Sequence, residues 1–563
     1  MKNPICDLHI HAGLKAFAAH GHPEFNQRSI WEKFPERSKE LQQLNPALKA
    51  AIADVGKASQ GHLDGCAQAN VRALFLAIYP IEQQMFDMQP QKPFKTLFSL
   101  VLKGKQPTYL GSSISGIPPE KIEGILDRMR NGKDVGVDYF QQFLQERAYL
   151  LDQTRIPSPT TKQSFKIANN YAAFKQQLSD GKTLSIIQTV EGGHAFGHYL
   201  FNSTFKKPFE ALTKEEKTTL EQSFHQNILR VKREVDGIAA PFFVTFCHHY
   251  NNQLAGHARS FSGKSNLLNG LSWPNLPGMR HLLDQVPNMR EGFTPLGRAV
   301  IRLMLDRRQG KRMLIDSKHM SIASRQEFYQ LIRQMREQDN DSVPIVHSHG
   351  AISGLNTLEE ASHVTENEQL DKGQFFSRWR INLTNEDIVE TFDSDGIIGI
   401  VLHEGRMPGQ AFAKEAKALK KKIKKAKEAS LKTALTQQLK DLYLKLIWSN
   451  IFHIIKVIKD QRNENGWKLL GFGSDFDGLI NPLDSYAEAA TFAQLGPDMI
   501  SYFNAGKEIL WVDHGITKAI PPAELQSLLF GKSIERRMEE VLFENTDHFL
   551  SKYFTAAYLT EQG

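Results

Sequence analysis

The hydrophobic and polar positions of this chain separate short apolar runs from long stretches that have the spacing of amphipathic helices. Eight runs have the length and composition of buried β-strands: Ile5–His11, Val71–Tyr79, Leu184–Glu191, Phe242–His248, Met313–His319, Val343–His349, Ile397–His403 and Leu469–Asp475. Buried strands that alternate with helices are typical of parallel sheets covered by helices. Eight such units in one chain predict an α/β fold of the (β/α)8, or TIM barrel, type.

Five of the eight runs end in residues of the types that commonly bind metal ions. These side chains are, in chain order, His9 and His11, Glu191, His319, His349 and Asp475. In a (β/α)8 barrel the C-terminal ends of all strands meet at one mouth, where active sites lie. Zinc binds imidazole nitrogen and carboxylate oxygen readily. Four histidines and two carboxylates at one mouth therefore predict a metal-dependent hydrolase.

The length of the chain predicts long insertions in the barrel. The chain has 563 residues, whereas a barrel of this class needs roughly 250. We expect a single barrel domain over residues 1–563, with a polar insertion over 13–65 and a lysine-rich helical insertion over 411–447. The stretch 256–289 is rich in Gly, Ser, Asn and Pro, and we expect a long loop over the mouth there.

The net charge is +7, and nine lysines fall between Lys414 and Lys432. The Ala, Leu and Lys content of this run favours helix. Such a run would attract nucleic acid or an anionic surface by electrostatics. No aromatic residues interleave the lysines, however, and an amphipathic segment follows. We therefore favour the solvated face of a helical hairpin and expect no nucleic-acid partner.

The cysteine pattern and the lack of long apolar runs bear on the cellular location. Cys6, Cys66 and Cys247 show no CxxC spacing, which argues against a disulfide framework and against a thiolate zinc site. No apolar run approaches the roughly 20 residues of a membrane span. The first strand starts almost at Met1, without the pattern of a signal peptide. We expect a cytoplasmic protein with a small-molecule substrate, and the insertions are candidate contacts of a homo-oligomer.

Five motifs stand at the strand ends in a characteristic order. They are DLHIH (Asp7–His11), VEGGH (Val190–His194), LIDSKHMS (Leu314–Ser321), PIVHSHGA (Pro344–Ala351) and GFGSDFDG (Gly471–Gly478). In type and order they resemble the motifs of the membrane (renal) dipeptidase family of the amidohydrolase superfamily. The resemblance extends over nearly the whole chain, and it implies a zinc-dependent hydrolase of peptide bonds with a binuclear site.

The resemblance also implies which residues hold the two Zn²⁺ ions and which take part in catalysis. It implies that Glu191 bridges both ions and that a metal-bridged hydroxide attacks the amide carbonyl of a dipeptide or a similar small substrate. Asp475 would serve the bridging water, and His248, in the segment TFCHHYNN, would face the scissile carbonyl. The implied metal ligands are His9 and His11 for one ion, His319 and His349 for the other, and Glu191 for both.

The chain departs from the family pattern at two places. His11 stands where the family has Asp, which removes one negative charge from the site and favours anionic substrates. The family also has an arginine that binds the substrate carboxylate. The matching stretch here, SRWRINLTNED, places Ile381 at that position, with Arg380 one residue earlier. We therefore expect Arg380, or else Arg378, to bind the carboxylate.

Several alternatives stay open from the sequence. His11 and the displaced arginine leave room for an amidohydrolase-superfamily enzyme that acts on a lactone, an N-acyl amino acid or a phosphoester. A non-catalytic barrel that serves as a scaffold is a third hypothesis, although the complete ligand set counts against it. Within the site, His249 is expected to face away from His248 across a strand, and His347 is expected on the same face as His349.

Overall fold

The structure is a computed structural model that describes residues 4–20, 28–35, 38–46, 59–86, 103–130, 136–260, 285–364 and 375–561. Parts of the insertion expected over 13–65 lie outside these residues. Most of the loop expected over 256–289 lies outside them as well. The site discussed below is formed by described residues.

Eight parallel strands form the barrel that the hydrophobic pattern predicts. Along the sheet they follow one another in the order Ile5–Ile10, Val71–Ile78, Leu184–Glu191, Phe243–Thr245, Leu314–Asp316, Val346–Gly350, Ile397–Ile400 and Leu470–Phe472. The described strands are β1 (Ile5–Ile10), β2 (Val71–Ile78), β3 (Val137–Asp138), β4 (Phe165–Ala168), β5 (Leu184–Glu191), β6 (His198–Tyr199), β7 (Phe243–Thr245), β8 (Leu314–Asp316), β9 (Val346–Gly350), β10 (Ile397–Ile400), β11 (Leu470–Phe472), β12 (Leu510–Asp513) and β13 (Ile516–Ala519). Each of the eight apolar runs contains one barrel strand, so the predicted fold class is confirmed.

Backbone hydrogen bonds between the first and last barrel strands close the sheet. The His11 N–H donates to the Phe476 carbonyl over 2.9 Å, and the Asp475 N–H donates to the His9 carbonyl over 2.9 Å. These bonds lie at the C-terminal ends of β1 and β11. They bring two of the predicted metal-binding segments next to each other.

The central barrel strands are buried on both faces along their whole length. All eight residues of β2 are buried, as are all eight of β5. The short β4 pairs in parallel with the first half of β5. The end of β5 pairs with β7, with Val190 opposite Val244. Two small antiparallel pairs, β3 with β6 and β12 with β13, lie outside the barrel sheet.

Helices connect the strands and cover the barrel. The described α-helices are Leu14–Ala19, Ser38–Gln43, Leu63–Gln68, Gln106–Ser115, Pro119–Arg130, Tyr139–Gln153, Tyr171–Ser179, Lys214–Lys232, Pro295–Leu305, Ile322–Gln338, Leu358–His363, Asn385–Asp393, Gln410–Lys425, Ala429–Arg462, Phe492–Asn504, Pro522–Ser527, Ile534–Glu539, Asn545–Tyr553 and Ala556–Leu559. A π-helical turn over Glu540–Glu544 joins two of the last helices.

The helix Lys214–Lys232 shows how the sequence sets these elements. It begins with a capping box, in which the Thr213 side chain accepts the Glu216 N–H and the Glu216 side chain accepts the Thr213 N–H. The residues of its buried face recur at a spacing of three or four: Leu220, Phe224, Ile228 and Val231. This spacing gives the single apolar stripe that a surface helix packs against the core.

The lysine-rich run spans two consecutive helices, Gln410–Lys425 and Ala429–Arg462, which pack against each other, and Lys427 lies in the turn between them. Lys420 is half-buried, and its ammonium lies 2.6 Å from a Glu404 carboxylate oxygen and 2.9 Å from one of Asp484. The other eight lysines of the run are exposed. No helix in the described part of the chain is both long enough and apolar enough to cross a membrane.

Candidate metal centre

The end of β1 brings two imidazoles to one point. His9 and His11 are fully buried, and their Nε2 atoms lie 3.1 Å apart. Alternate residues of a strand point to the same face, which explains how both side chains reach this point. Two ring nitrogens at this distance need a proton or a cation between them, because their lone pairs would otherwise face each other.

Glu191, the last residue of β5, lies at the centre of the site. Its Oε2 atom is 2.9 Å from His11 Nε2 and 3.4 Å from His248 Nε2. Its Oε1 atom is buried without a hydrogen-bond donor. That atom lies 3.5, 3.6 and 3.9 Å from the Nε2 atoms of His9, His319 and His349 in turn. A buried carboxylate oxygen without a donor is costly, and a bound cation would remove that cost.

Three overlapping groups of ligand atoms surround Glu191, and within each group the atoms lie within 4.8 Å of one another. The groups are His9 with His11 and Glu191, Glu191 with His319 and His349, and His9 with His349 and Asp475. The first two correspond to the two metal sites that the family resemblance implies. The structure thus brings together all five residues proposed from the sequence as metal ligands, together with Asp475.

A serine that the sequence analysis missed orients two of the histidines. The Ser348 hydroxyl oxygen lies 3.1 Å from His9 Nδ1 and 2.9 Å from His349 Nδ1, and it donates its proton to Asp316 Oδ2 over 2.6 Å. Because a hydroxyl has a single proton, it must accept from both rings. Both Nε2 atoms are then left with free lone pairs at the centre, as metal ligands require. Two features of the sequence could have indicated these residues. Ser348 lies between two histidines, and Asp316 lies in the motif LIDSKHMS.

The two histidines grouped with Glu191 at the second potential metal site, His319 and His349, come from different positions relative to their strands. His349 lies within β9, but His319 follows the end of β8 by three residues and has a φ of +67°. Burial lowers the pKa of both rings well below the ordinary value, and neighbouring imidazoles lower it further. Both rings are therefore neutral at physiological pH, which is the form that binds metal.

Asp475 lies opposite Glu191, three residues after β11, with a φ of +61°. Its Oδ1 atom is 3.8 Å from His11 Nε2, and burial together with the charge of Glu191 raises its pKa to about 6. A Cβ at Gly478 would lie 1.9 Å from Asp475 Oδ1, so any larger residue there would displace the Asp475 carboxylate. Asp477 serves a different purpose, because its carboxylate accepts backbone N–H bonds from Gln60 and Gly61 and ties that loop to the barrel.

The structure corrects the prediction for the two adjacent histidines after β7. This strand ends at Thr245, so His248 and His249 lie in the following loop, where the alternation of strand side chains no longer holds. Their ring centroids lie 3.6 Å apart with the ring planes tilted by 34°, and both rings line the cavity that contains Glu191. With His319 they form a fourth group of potential ligand atoms. His347, in contrast, places Nδ1 2.8 Å from the Ser317 hydroxyl.

Glu82, which the sequence analysis did not single out, holds His248 in place. The buried carboxylate lies 2.8 Å from His248 Nδ1. It accepts three further hydrogen bonds, from the Tyr79 hydroxyl (3.1 Å) and from the N–H groups of His249 (3.3 Å) and Tyr250 (3.0 Å). Burial opposes ionisation, but His248 outweighs it and lowers the pKa of Glu82 to about 2. The ionised carboxylate fixes a proton on His248 Nδ1 and directs Nε2 towards Glu191.

The cavity at the centre is lined by Glu191, His248, His249, His319, His403, Arg406, Asp475, Gly478, Leu479 and Ile480. Neither arginine proposed from SRWRINLTNED is among these described lining residues. The Arg380 guanidinium donates to the Val364 carbonyl over 2.7 and 3.1 Å and lines a different crevice, with His257. Arg378 donates to the Gly515 carbonyl over 3.3 Å. The arginine at the cavity is Arg406, which the sequence analysis missed.

No family model and no curated protein matches this chain. Several solved structures are similar to it. One is the metallopeptidase dipeptidase AC, with 13% identity, 99% of this chain and 100% of that chain covered, and a TM-score of 0.44. The probable dipeptidase PvdM from Pseudomonas aeruginosa has 14% identity, coverages of 88% and 89%, and a TM-score of 0.43.

A metallopeptidase from Rhodobacter sphaeroides bound to a phosphinate mimic of the dipeptide L-Ala-D-Ala is also similar. It has 14% identity, coverages of 98% and 99%, and a TM-score of 0.45. The function of this chain rests on its own side chains and motifs.

Proposed function

We propose that this protein is a zinc-dependent hydrolase with two metal ions, which cleaves the amide bond of a dipeptide or a similar small substrate. The observation that carries the proposal is the buried Glu191 carboxylate, which faces imidazole nitrogens on both sides and has one oxygen without a donor. The five strand-end motifs, which resemble those of the membrane dipeptidase family, support the dipeptide as the substrate class.

The donor set fits zinc. It consists of imidazole nitrogens and a carboxylate, and none of the three cysteines is among its members. His9 and His11 would hold one ion, His319 and His349 the other, and Glu191 both. When bound, two such ions lower the pKa of a shared water and polarise a substrate carbonyl.

The remaining residues of the cavity supply proton transfer and charge stabilisation. Asp475 lines the same cavity as Glu191 and His248, where its carboxylate would accept the proton of the attacking water and return it to the leaving amine. Burial lowers the pKa of His248, but the charges of Glu191 and Glu82 outweigh burial and raise it above the ordinary value. A protonated His248 would donate from Nε2 to the carbonyl oxygen as negative charge develops there.

Metal content and a substrate panel test the proposal together. Tag-free protein purified without chelator should contain close to two zinc ions per chain by elemental mass spectrometry. The variant Glu191→Gln keeps the shape of the side chain but removes the bridging charge, so it should lose metal. The wild-type enzyme should hydrolyse dipeptides in preference to N-acyl amino acids, lactones and a phosphotriester.

Each other outcome has a definite meaning. A preference for lactones, N-acyl amino acids or the phosphotriester would reassign the enzyme to another substrate class of the superfamily. One zinc ion per chain would indicate that His11 has made the site mononuclear. No metal even after incubation with zinc would refute the enzyme hypothesis and leave the scaffold.

A further inference from the structure

A buried cation lines the cavity beside Glu191 and Asp475, and no described residue forms an ion pair with it. Arg406 follows β10, is 9% exposed and lines this cavity. Among the described residues no carboxylate lies within ion-pairing distance of its guanidinium, although Asp475 is near enough to act on its charge. A buried guanidinium normally has an anionic partner, because removing its hydration is costly. The missing partner is therefore expected to come from a ligand.

Neighbouring residues hold Arg406 in this position. Its guanidinium lies over the ring of Trp379, 4.9 Å from the ring centroid. The Asn382 amide donates to the carbonyls of Ser377 and Arg406, both over 2.8 Å. The Arg406 N–H donates to the His403 carbonyl over 3.2 Å. The two hydrogen bonds fix the Arg406 backbone, and Trp379 restricts its guanidinium, which favours binding because less side-chain freedom is left to lose.

The segment SRWRIN (residues 377–382) has a different role from the one its sequence suggests. Its own arginines, Arg378 and Arg380, are bonded to the carbonyls of Gly515 and Val364. Its Trp379 and Asn382 instead support Arg406.

A second buried cation lies near Arg406. Lys318 precedes His319, and none of the described carboxylates lies within ion-pairing distance of its ammonium. Arg406 lines the cavity itself, whereas Lys318 is not among the described lining residues.

We propose that Arg406 binds a carboxylate of the substrate, and that Arg406 rather than Arg380 makes this enzyme selective for substrates with a free carboxylate. The inference rests on the proposed function, because it concerns the substrate of the same centre. A guanidinium presents parallel N–H donors that match the two oxygens of a carboxylate, so it recognises this group by geometry as well as charge.

The test compares two probes that share one scissile bond. Alanyl-alanine carries a free carboxylate, and alanyl-alaninamide carries a neutral amide in its place. Arg406→Gln should raise the KM for alanyl-alanine by about 10- to 100-fold, the usual range for loss of a charge-assisted hydrogen bond. The kcat/KM for the amide should change less than about twofold. Arg406→Lys keeps the charge but loses the paired donors, and its effect should lie between these limits.

Two further arginine variants complete the kinetic comparison. Arg380→Gln tests the competing assignment from the sequence. Arg308→Gln is the matched control, because this arginine has 72% of its side chain exposed and bonds only locally to Asp306. Circular dichroism and zinc content establish that each variant is folded and loaded with metal.

A binding measurement separates this inference from the proposed function. Calorimetric titration of the metal-loaded protein with a phosphinate dipeptide mimic, as the free acid and as its carboxamide, should show tighter binding of the acid, and Arg406→Gln should abolish that difference. Equal binding or hydrolysis of both probes by the wild type would overturn the role of Arg406 alone. So would a selective loss in Arg380→Gln. A wild type that binds and hydrolyses neither form would overturn the proposed function and this inference together.

Discussion

Replacing Glu82 by Gln tests how His248 is held beside Glu191. The Glu82 carboxylate accepts four hydrogen bonds, of which three reach one oxygen and the fourth, from the Tyr250 N–H, reaches the other. A glutamine has one acceptor oxygen and one NH2 group. Whichever way it is oriented, the NH2 group must face at least one of these N–H or O–H donors. The substitution therefore removes the negative charge and breaks part of the network.

The expected size of the effect follows from the bond to His248. This bond is 2.8 Å long and joins an ionised carboxylate to a ring nitrogen. Hydrogen bonds to charged groups contribute about 1.5–3 kcal/mol. If that contribution is realised in the transition state, kcat/KM should fall by roughly 10- to 150-fold. Zinc content should not change, because Glu82 is not among the described groups of potential metal ligands.

A double-mutant cycle distinguishes a specific contact from general damage. Steady-state kinetics on a dipeptide are measured for Glu82→Gln, His248→Gln and the double variant, each with its zinc content. Because Glu82 acts through His248, the second substitution should cost little once the first is made. Glu82→Asp keeps the charge and should restore part of the activity. Fully additive losses, or a loss of zinc in Glu82→Gln, would refute the reasoning.

The other predictions concern Asp475 and Glu146. Asp475→Asn should keep near-normal zinc content and lower kcat by more than about 100-fold, since an amide cannot accept the proton; loss of zinc would place Asp475 among the metal ligands. Glu146 is buried in the helix Tyr139–Gln153 and accepts the Tyr79 N–H, and burial raises its pKa from 4.5 to about 8. The stability that this raised pKa contributes is fully present below about pH 4.5 and is lost as the pH rises through about 8, which lowers the free energy of unfolding by up to about 5 kcal/mol. Urea unfolding at pH 5 and pH 8 measures this change, and Glu146→Gln should remove it. An equal change in the free energy of unfolding between the two pH values in both proteins would contradict the prediction.

The sequence by itself determined the barrel and the residue types at its mouth. Eight apolar runs separated by helical patterns are compatible with few other folds, because strands buried on both faces need helices around them. His9, His11 and Glu191 could be placed at one end because strand alternation and parallel pairing fix where strand ends point. His349 follows from the same rule, since it lies within β9.

Only the tertiary structure decided which side chains beyond the strand ends reach the site. His319 and Asp475 reach the centre through residues with positive φ, and His248 and His249 share one cavity because β7 ends at Thr245. Glu82 and Arg406 come from loops after other strands, and no local pattern connects them to the site. Periodicity reports which face of a regular element is buried. The direction of a loop side chain depends on contacts between residues far apart in the chain, which become defined only when the barrel closes.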